Sequence, residues 1–311
     1  MFQYFPFDAD HFSMTMGTQA LGKGFVIEVD PACYHAEIAL KQRLLNDDPA
    51  YYFQALPHTE PLQWDTLTYL LPHLAACYPQ HFSLAMQAEH WVWHNHLLQE
   101  RVTFQPGVRA SLPLPPLDWL GRQLQEDLLL LDGSVDGGIP LVAGQLCFPN
   151  SWCLEEKLGQ SFLHIHDPVA LFAERIGRSS QLLLERLKVG RPVWRLNWAF
   201  RTIERLDITP RTAHEVQQSY QTLTPENIGE RCLLRVERQT LSRLPTTGAI
   251  LFTVHTYQES VAELTHNVKH ARRMASVLRS TPAEVLAYKG IAPFAAMLLD
   301  YLQLRSHESR I

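Results

Sequence analysis

The chain has 311 residues, 46% of them hydrophobic and 19% charged, with a formal net charge of -5. That balance suits a folded chain of one large domain or two ordinary ones and argues against extended disorder. No run of lysine or arginine forms a stripe, which speaks against nucleic acid as a partner. The opening MFQYFPFDADHF lacks a basic region followed by an unbroken apolar one, and no long apolar run follows, so neither a signal peptide nor a membrane span is expected. The five cysteines (Cys33, Cys77, Cys147, Cys153, Cys232) are scattered, with no C-x-x-C. That disfavours a disulfide framework, a zinc ribbon or a thiolate-held iron–sulfur cluster, and suits a reducing, cytoplasmic setting. Glycine-rich nucleotide loops, a G-x-S-x-G elbow and an H-E-x-x-H pair are also missing.

Residues 1 to about 100 read as mainly helical. PACYHAEIALKQRLLNDD carries apolar residues at helical spacing, and WDTLTYLLPHLAACYPQHF is a second helix interrupted at Pro72. EHWVWHNHLLQE holds His94 and His96; on a helix these point about 200° apart and cannot share a metal. The proline-rich LPLPPLDWLG is a joint. Beyond it the pattern changes. EDLLLLDG and LVAGQLCF read as a hairpin, with the Gly137–Gly138 pair in the turn. Two helical segments follow, CLEEKLGQSFLHIH and PVALFAERIGRSSQLLLERL, the second starting at Pro168. VWRLNWAF alternates, with Trp194, Leu196, Trp198 and Phe200 on one face and Arg195 and Asn197 on the other. RCLLRVERQTLSRL and AILFTVHTY are further strands around the turn PTTG. The chain closes in helices, one opening on the capping-box spacing of Thr281 and Glu284.

The expectation is an α+β fold: a PAS-like antiparallel sheet with helices inserted after its second strand, extended by N- and C-terminal helices. Residues 1–117 form the mainly helical extension, 118–260 the core and 261–311 the C-terminal helices. A pocket is expected between the sheet and the inserted helices. In FLHIHDPVALF, His164 and His166 sit at the junction of those helices, either as metal ligands or as capped histidines beside Asp167.

QEDLLLL, CFPNSWCLEEKLGQSFLHIHDPV, RLNW, LRVERQTLSRLPTTGAILFTVHTY and YKG, in that order, carry a resemblance over roughly residues 20 to 304. The chain resembles the heme-dependent oxidative N-demethylase alpha-subunit family. The resemblance implies a heme-binding PAS fold and NADPH-driven oxidative demethylation of a small secondary amine, with electrons from flavin and iron–sulfur partner subunits. Two positions depart from the family pattern: Ala170 replaces a frequent proline, and His255 stands where arginine is common.

On that basis heme b is the expected cofactor and His166 its axial ligand, bonded through Nε2 while Nδ1–H is held by an acceptor. His255 is a second choice and His164 belongs on a helix surface. Arg238, on a strand face with Leu234 and Val236, meets either a propionate or an internal carboxylate. Arg195 and Asn197 either hold the cofactor or tie the sheet to the flanking helices, and Trp198 is core with an edge toward the porphyrin. Glu237, Arg238 and His255 are the candidate catalytic groups, Glu237 as acceptor for the amine. The enzyme reading requires O2 and a separate reductase; the alternative is a non-catalytic heme-binding PAS protein that senses gas or redox state.

Overall fold

The computed structural model describes residues 2–22, 24–134 and 136–307, and its fold is α+β as expected. The first part runs β1 (Gln19–Ala20), α1 (Tyr34–Asp47), α2 (Pro49–Tyr52), β2 (Phe53–Ala55), α3 (Glu60–Cys77), β3 (Phe82–Gln87), β4 (His90–Asn95), β5 (Glu100–Phe104) and α4 (Pro116–Gly121). The hairpin β6 (Asp127–Leu131) and β7 (Leu141–Gln145) comes next. A long insert then ends in α5 (Arg178–Arg186) and leads to β8 (Val193–Arg201). Helices α6 (Ala213–Gln221) and α7 (Ile228–Arg231) precede β9 (Leu233–Arg243) and β10 (Ile250–Ser260). The chain closes with α8 (Val261–Thr265), α9 (Val268–Ser280), α10 (Ala283–Tyr288) and α11 (Ala295–His307).

Seven strands form one sheet in the order β1-β8-β9-β10-β6-β7-β2, every pairing antiparallel. Both its faces are covered in the centre, so β6 is a continuous apolar run instead of an alternating one. On the front face, Leu129, Leu131, Leu141, Ile250 and Val254 pack against Leu154, Leu184 and Leu187 of the insert. On the back face, Leu128, Leu130, Ala143 and Leu251 meet α3 and α4 through Leu67, Leu70, Leu71, Leu117 and Leu120. Farther along, Phe200, Leu234 and Val236 meet Phe7 and the C-terminal helices.

Four local expectations are corrected. Pro72 lies inside α3 without ending it; Leu67, Leu70, Leu71 and Leu74 are fully buried around it, and that packing outweighs a lost backbone bond worth about 3 kcal/mol. Residues 82–104 are a three-stranded sheet, β3-β4-β5, and not helix. Trp93 and Asn95 of β4 turn inward while His94 and His96 share the other side, their rings 4.0 Å apart. Period two, not period 3.6, governs this stretch. Of the two helices expected in the insert, the first is replaced by turns, with Gly159 at φ 81° and a short 3-10 turn at His164–His166, whereas the second forms: a π-helical turn at Ala173–Gly177 runs directly into α5. At the C-terminus Thr281 Oγ1 bonds back to the Val277 carbonyl, so the capping box at α10 does not form. Residues 308–311 of the C-terminal region lie outside the described residues.

One buried ion pair joins the first part to the sheet. Asp127 accepts from the Cys147 and Phe148 amides at 2.8 Å each, and Lys41 of α1 reaches its Oδ1 at 3.7 Å. Lys41 also donates to the Leu124 and Glu126 carbonyls, at 3.1 and 2.6 Å. Asp127→Ala leaves the ammonium buried without its counter-charge, a change that costs about 3–5 kcal/mol when one partner of a buried pair is removed. Urea titration should show the lower midpoint at an unchanged slope. A loss under about 1 kcal/mol would mean that the carbonyls alone satisfy Lys41.

Candidate functional site

Residues 162–172 fold around the imidazole of His166. Its Nδ1 lies 2.8 Å from the Phe162 carbonyl, one turn back. A carbonyl can only accept, so Nδ1 carries the proton and Nε2 keeps its lone pair. Phe172 stacks on the ring at 4.3 Å and 13°, and Phe162 leans against it at 4.6 Å, which fixes its plane. Burial pushes its pKa down to about 4; the Phe162 bond opposes this, while Lys157 and Arg195 add to it. The result is a neutral, oriented imidazole with one free nitrogen, the form that ligates metals. His164 differs. It is exposed, and its Nδ1 pairs with Asp167 at 2.8 Å.

Arg195 belongs to the front face of the sheet, and the strand register assembles a polar row there. Arg195 opposes Gln239, Asn197 opposes Glu237 and Ala199 opposes Arg235. Glu237 Oε2 accepts from Asn197 Nδ2 at 3.1 Å and from Gln239 Nε2 at 2.9 Å. Arg235 Nε is 3.8 Å from Glu237 Oε1, and its other nitrogens donate to the Leu206, Phe148 and Pro149 carbonyls. Beyond β8 only the short β1 pairs, at Val193 and Trp194. The strand therefore stays half-buried from Val193 to Trp198 and leaves this row within reach of solvent.

Positive charge exceeds negative charge in this row. Burial lowers the pKa of Arg195, Arg201 and Arg235, and the carboxylate of Glu237 counteracts that shift in all three. Lys289, after α10, reaches the free edge of β8: Nζ donates to the Trp198 carbonyl at 2.7 Å, with Asn197 Oδ1 at 3.5 Å and the Trp198 ring centroid at 4.5 Å. Burial pushes its pKa down to about 7, with Arg201 and Arg195 pushing the same way and Glu237 opposing. Arg195 Nε is buried and has no partner among the described residues. A buried guanidinium nitrogen with nothing to bond is a place for an anion.

Arg238 and His255 do not join this row, which corrects their expected place in the pocket. Adjacent strand residues point to opposite faces, so both lie on the back of the sheet, directly opposite one another. Arg238 pairs with Glu28 at 3.2 Å and donates to the Phe25 and Val26 carbonyls. His255 Nδ1 lies 3.2 Å from Glu126 Oε1. Trp198 is a back-face residue too, edge-on to Phe7 at 4.9 Å. Of the expected site residues, His166, Arg195, Asn197 and Glu237 share the front side. Lys289, Gln239, Lys157 and the two phenylalanines around His166 were missed. Lys289 stands in the YKG quoted for the resemblance, but nothing in that tripeptide points to the edge of a strand 91 residues earlier.

Among the described residues, no three of His, Cys, Asp and Glu converge as a metal-ion site. A metal held here by His166 needs most of its ligands from a macrocycle. The family model described as haem-dependent oxidative N-demethylase, alpha subunit-like, matches residues 17–299. The chain belongs to this family. The family's description names heme dependence and an alpha subunit, hence a multi-subunit assembly. Among the described residues, His166 Nε2 has no hydrogen-bond partner while its Nδ1 faces the Phe162 carbonyl, and the buried Nε of Arg195 has none either. No helix among the described residues is long and apolar enough to cross a membrane.

Lys289 gives this site a pH signature. An unfolded lysine titrates near 10.4, whereas the folded group does so at about 7. Between those values the unfolded chain binds the extra proton, so stability rises with pH across that window and is flat with respect to this group below it. In apo-protein, Lys289→Met should flatten that rise in urea-derived stability between pH 7 and 10. A wild-type and variant pair differing by a constant at every pH would refute the shift.

Proposed function

We propose that this chain is the heme-binding subunit of an oxidative N-demethylase and acts on a small methylated amine of the dimethylamine type. His166 holds the iron of heme b, and Arg195 with Asn197 binds its carboxylates. The observation that carries this reading is the imidazole whose Nδ1–H is committed to Phe162 while Arg195, near enough to disfavour its protonation, keeps a buried nitrogen unpaired. A PAS-like core is supported by an antiparallel sheet whose insert follows the second strand of the β6–β10 set.

Bound heme supplies dioxygen activation and accepts electrons one at a time. The chain's own residues bind and orient. A methylated amine is protonated near neutral pH, and Glu237, held by two amide donors on one oxygen, offers the other as acceptor for the ammonium. Loss of the proton to that carboxylate frees the nitrogen lone pair. Insertion of one oxygen atom into an N–methyl C–H bond gives an N-hydroxymethyl amine, which splits into formaldehyde and the shorter amine. The second oxygen atom leaves as water, with two electrons and two protons taken up. Electrons would come from a separate reductase; flavin, iron–sulfur and NADPH sites on that partner are what the family resemblance implies.

A non-catalytic heme-binding role is favoured by one fact: Glu237 already has two donors and a cationic surround without any substrate. The readings separate in solution. Heme-loaded protein given a reductase, O2 and a panel of short N-methylated amines should release formaldehyde; none from any of them supports the binding role. His166→Ala should lose heme or shift its Soret band with the fold intact, and His164→Ala should do neither. Glu237→Gln should weaken amine-induced spectral shifts about ten-fold or more, as loss of a charge-assisted bond worth ~1.5–3 kcal/mol requires, while leaving heme content unchanged. Loss of heme instead would make Glu237 structural.

A further inference from the structure

The insert carries cations that the front-face row does not use. Arg175, Arg178, Arg186, Lys188 and Arg191 are all exposed, and among the described residues none of them has an ion-pair partner. They are spread along the sequence, which is why no basic run is visible there, and the fold gathers them. Arg175 stands in the π-helical turn Ala173–Gly177 that runs directly into α5, which carries Arg178 and Arg186, so the three project from one helical segment about 16 Å long. Lys188 and Arg191 continue from its C-terminal end. Two carboxylates, Glu174 and Glu185, share the stretch, and Glu185 is engaged by Gln181 at 3.0 Å. The patch is thus net positive in a chain whose net charge is -5.

Two further observations mark this face as more than solvated charge. Val189, between Lys188 and Arg191, is a large apolar side chain left 51% exposed. Arginine around exposed apolar residues is the composition of a protein interface. The platform is also anchored. Arg243 of β9 donates to the Leu184 and Leu187 carbonyls at 2.7 and 2.6 Å, fixing the end of α5 to the sheet. The inner side of α5 packs Leu184 into the front-face core with Phe162 and Val193. A protein seated outside α5 therefore lies about one helix diameter, ~10 Å, from that core.

We propose that this face docks an acidic electron-donor protein, steered by Arg175, Arg178, Arg186, Lys188 and Arg191 and seated on Val189. The inference rests on the heme reading above and specifies where the reductant approaches. Interspersed carboxylates and apolar contacts favour a protein over nucleic acid or an anionic membrane, as does the family's description as one subunit of several.

The test uses the full chain and a plant-type [2Fe–2S] ferredoxin as acidic probe. Binding is measured calorimetrically with and without heme, and anaerobic stopped-flow follows heme reduction by reduced ferredoxin or by dithionite. Arg178→Glu with Arg186→Glu, and separately Lys188→Glu with Arg191→Glu, should weaken binding and slow reduction by ferredoxin about ten-fold or more at low salt. Dithionite rates should stay unchanged, and wild-type rates should fall toward the variants' as salt screens the patch. Wild-type binding and rates in both variants, equal slowing with dithionite, or equally tight binding of wild type to duplex DNA or phosphatidylserine vesicles would overturn the proposal. A chain that takes up no heme would end the heme reading, while the binding titration would still decide the surface.

Discussion

Strand β9 carries charge on both faces, and its register against β8 and β10 decides which charges meet. Arg235, Glu237 and Gln239 face front; Leu234, Val236, Arg238 and Thr240 face back. A slip by one residue would exchange the two sets, putting Glu237 among the N-terminal carboxylates and Arg238 among the front-face cations. The β9–β10 turn is held accordingly. Asp65 of α3 accepts from the Thr246 and Thr247 amides and from the Thr247 hydroxyl, at 3.0, 2.7 and 2.8 Å. Gly248 takes φ 72°, and Arg243 donates to its carbonyl at 2.7 Å. The front-face chemistry thus depends on a carboxylate on a distant helix that never touches the site.

The sheet also insulates two electrostatic systems from each other. On the back, Glu28 takes Arg238 and the hydroxyls of Tyr4 and Tyr257, and Glu126 takes His255 and the Glu28 amide. These contacts bind the N-terminal arm across strands that it does not pair with, and they set Glu28 against Arg238 and Glu126 against His255. The front row does not balance in this way. Guanidiniums and an ammonium surround Glu237, and the buried Nε atoms of Arg195 and Arg235 have no hydrogen-bond partner among the described residues.

The alternation of VWRLNWAF and RCLLRVERQTLSRL made β8 and β9 legible in the sequence, although Glu237 and Arg238, adjacent on β9 and so on opposite faces, were both expected to border one pocket. Which face the insert would cover was not legible. That depends on the path of the chain from β7 to β8, and residues 146–192 contain no periodic pattern long enough to fix it. His166 was distinguishable from His164 only through resemblance. The structural difference is a carbonyl four residues back for one and a surface carboxylate for the other, both set by the short turn at His164–His166. EHWVWHNHLLQE misled for a related reason. Tryptophans at 91 and 93 alternate over too few residues to separate strand from helix, and only burial of Trp93 against Phe82 decides it.

The two ends of the front-face site respond to pH in different ranges, and this constrains any ligand that uses both. His166 stays neutral down to about pH 4, so its free nitrogen is open to a metal throughout the neutral range. Lys289 titrates at about 7 because burial and the nearby guanidiniums disfavour its charge. An anion seated by Arg195 would act in the opposite sense, favouring the protonated ammonium and raising its pKa. By linkage, anion binding must then take up protons near and above neutrality, and affinity must fall as the pH rises through that range. A ligand with a metal at one end and carboxylates at the other would therefore be gripped best between these limits, losing its imidazole in acid and part of its cationic hold in base.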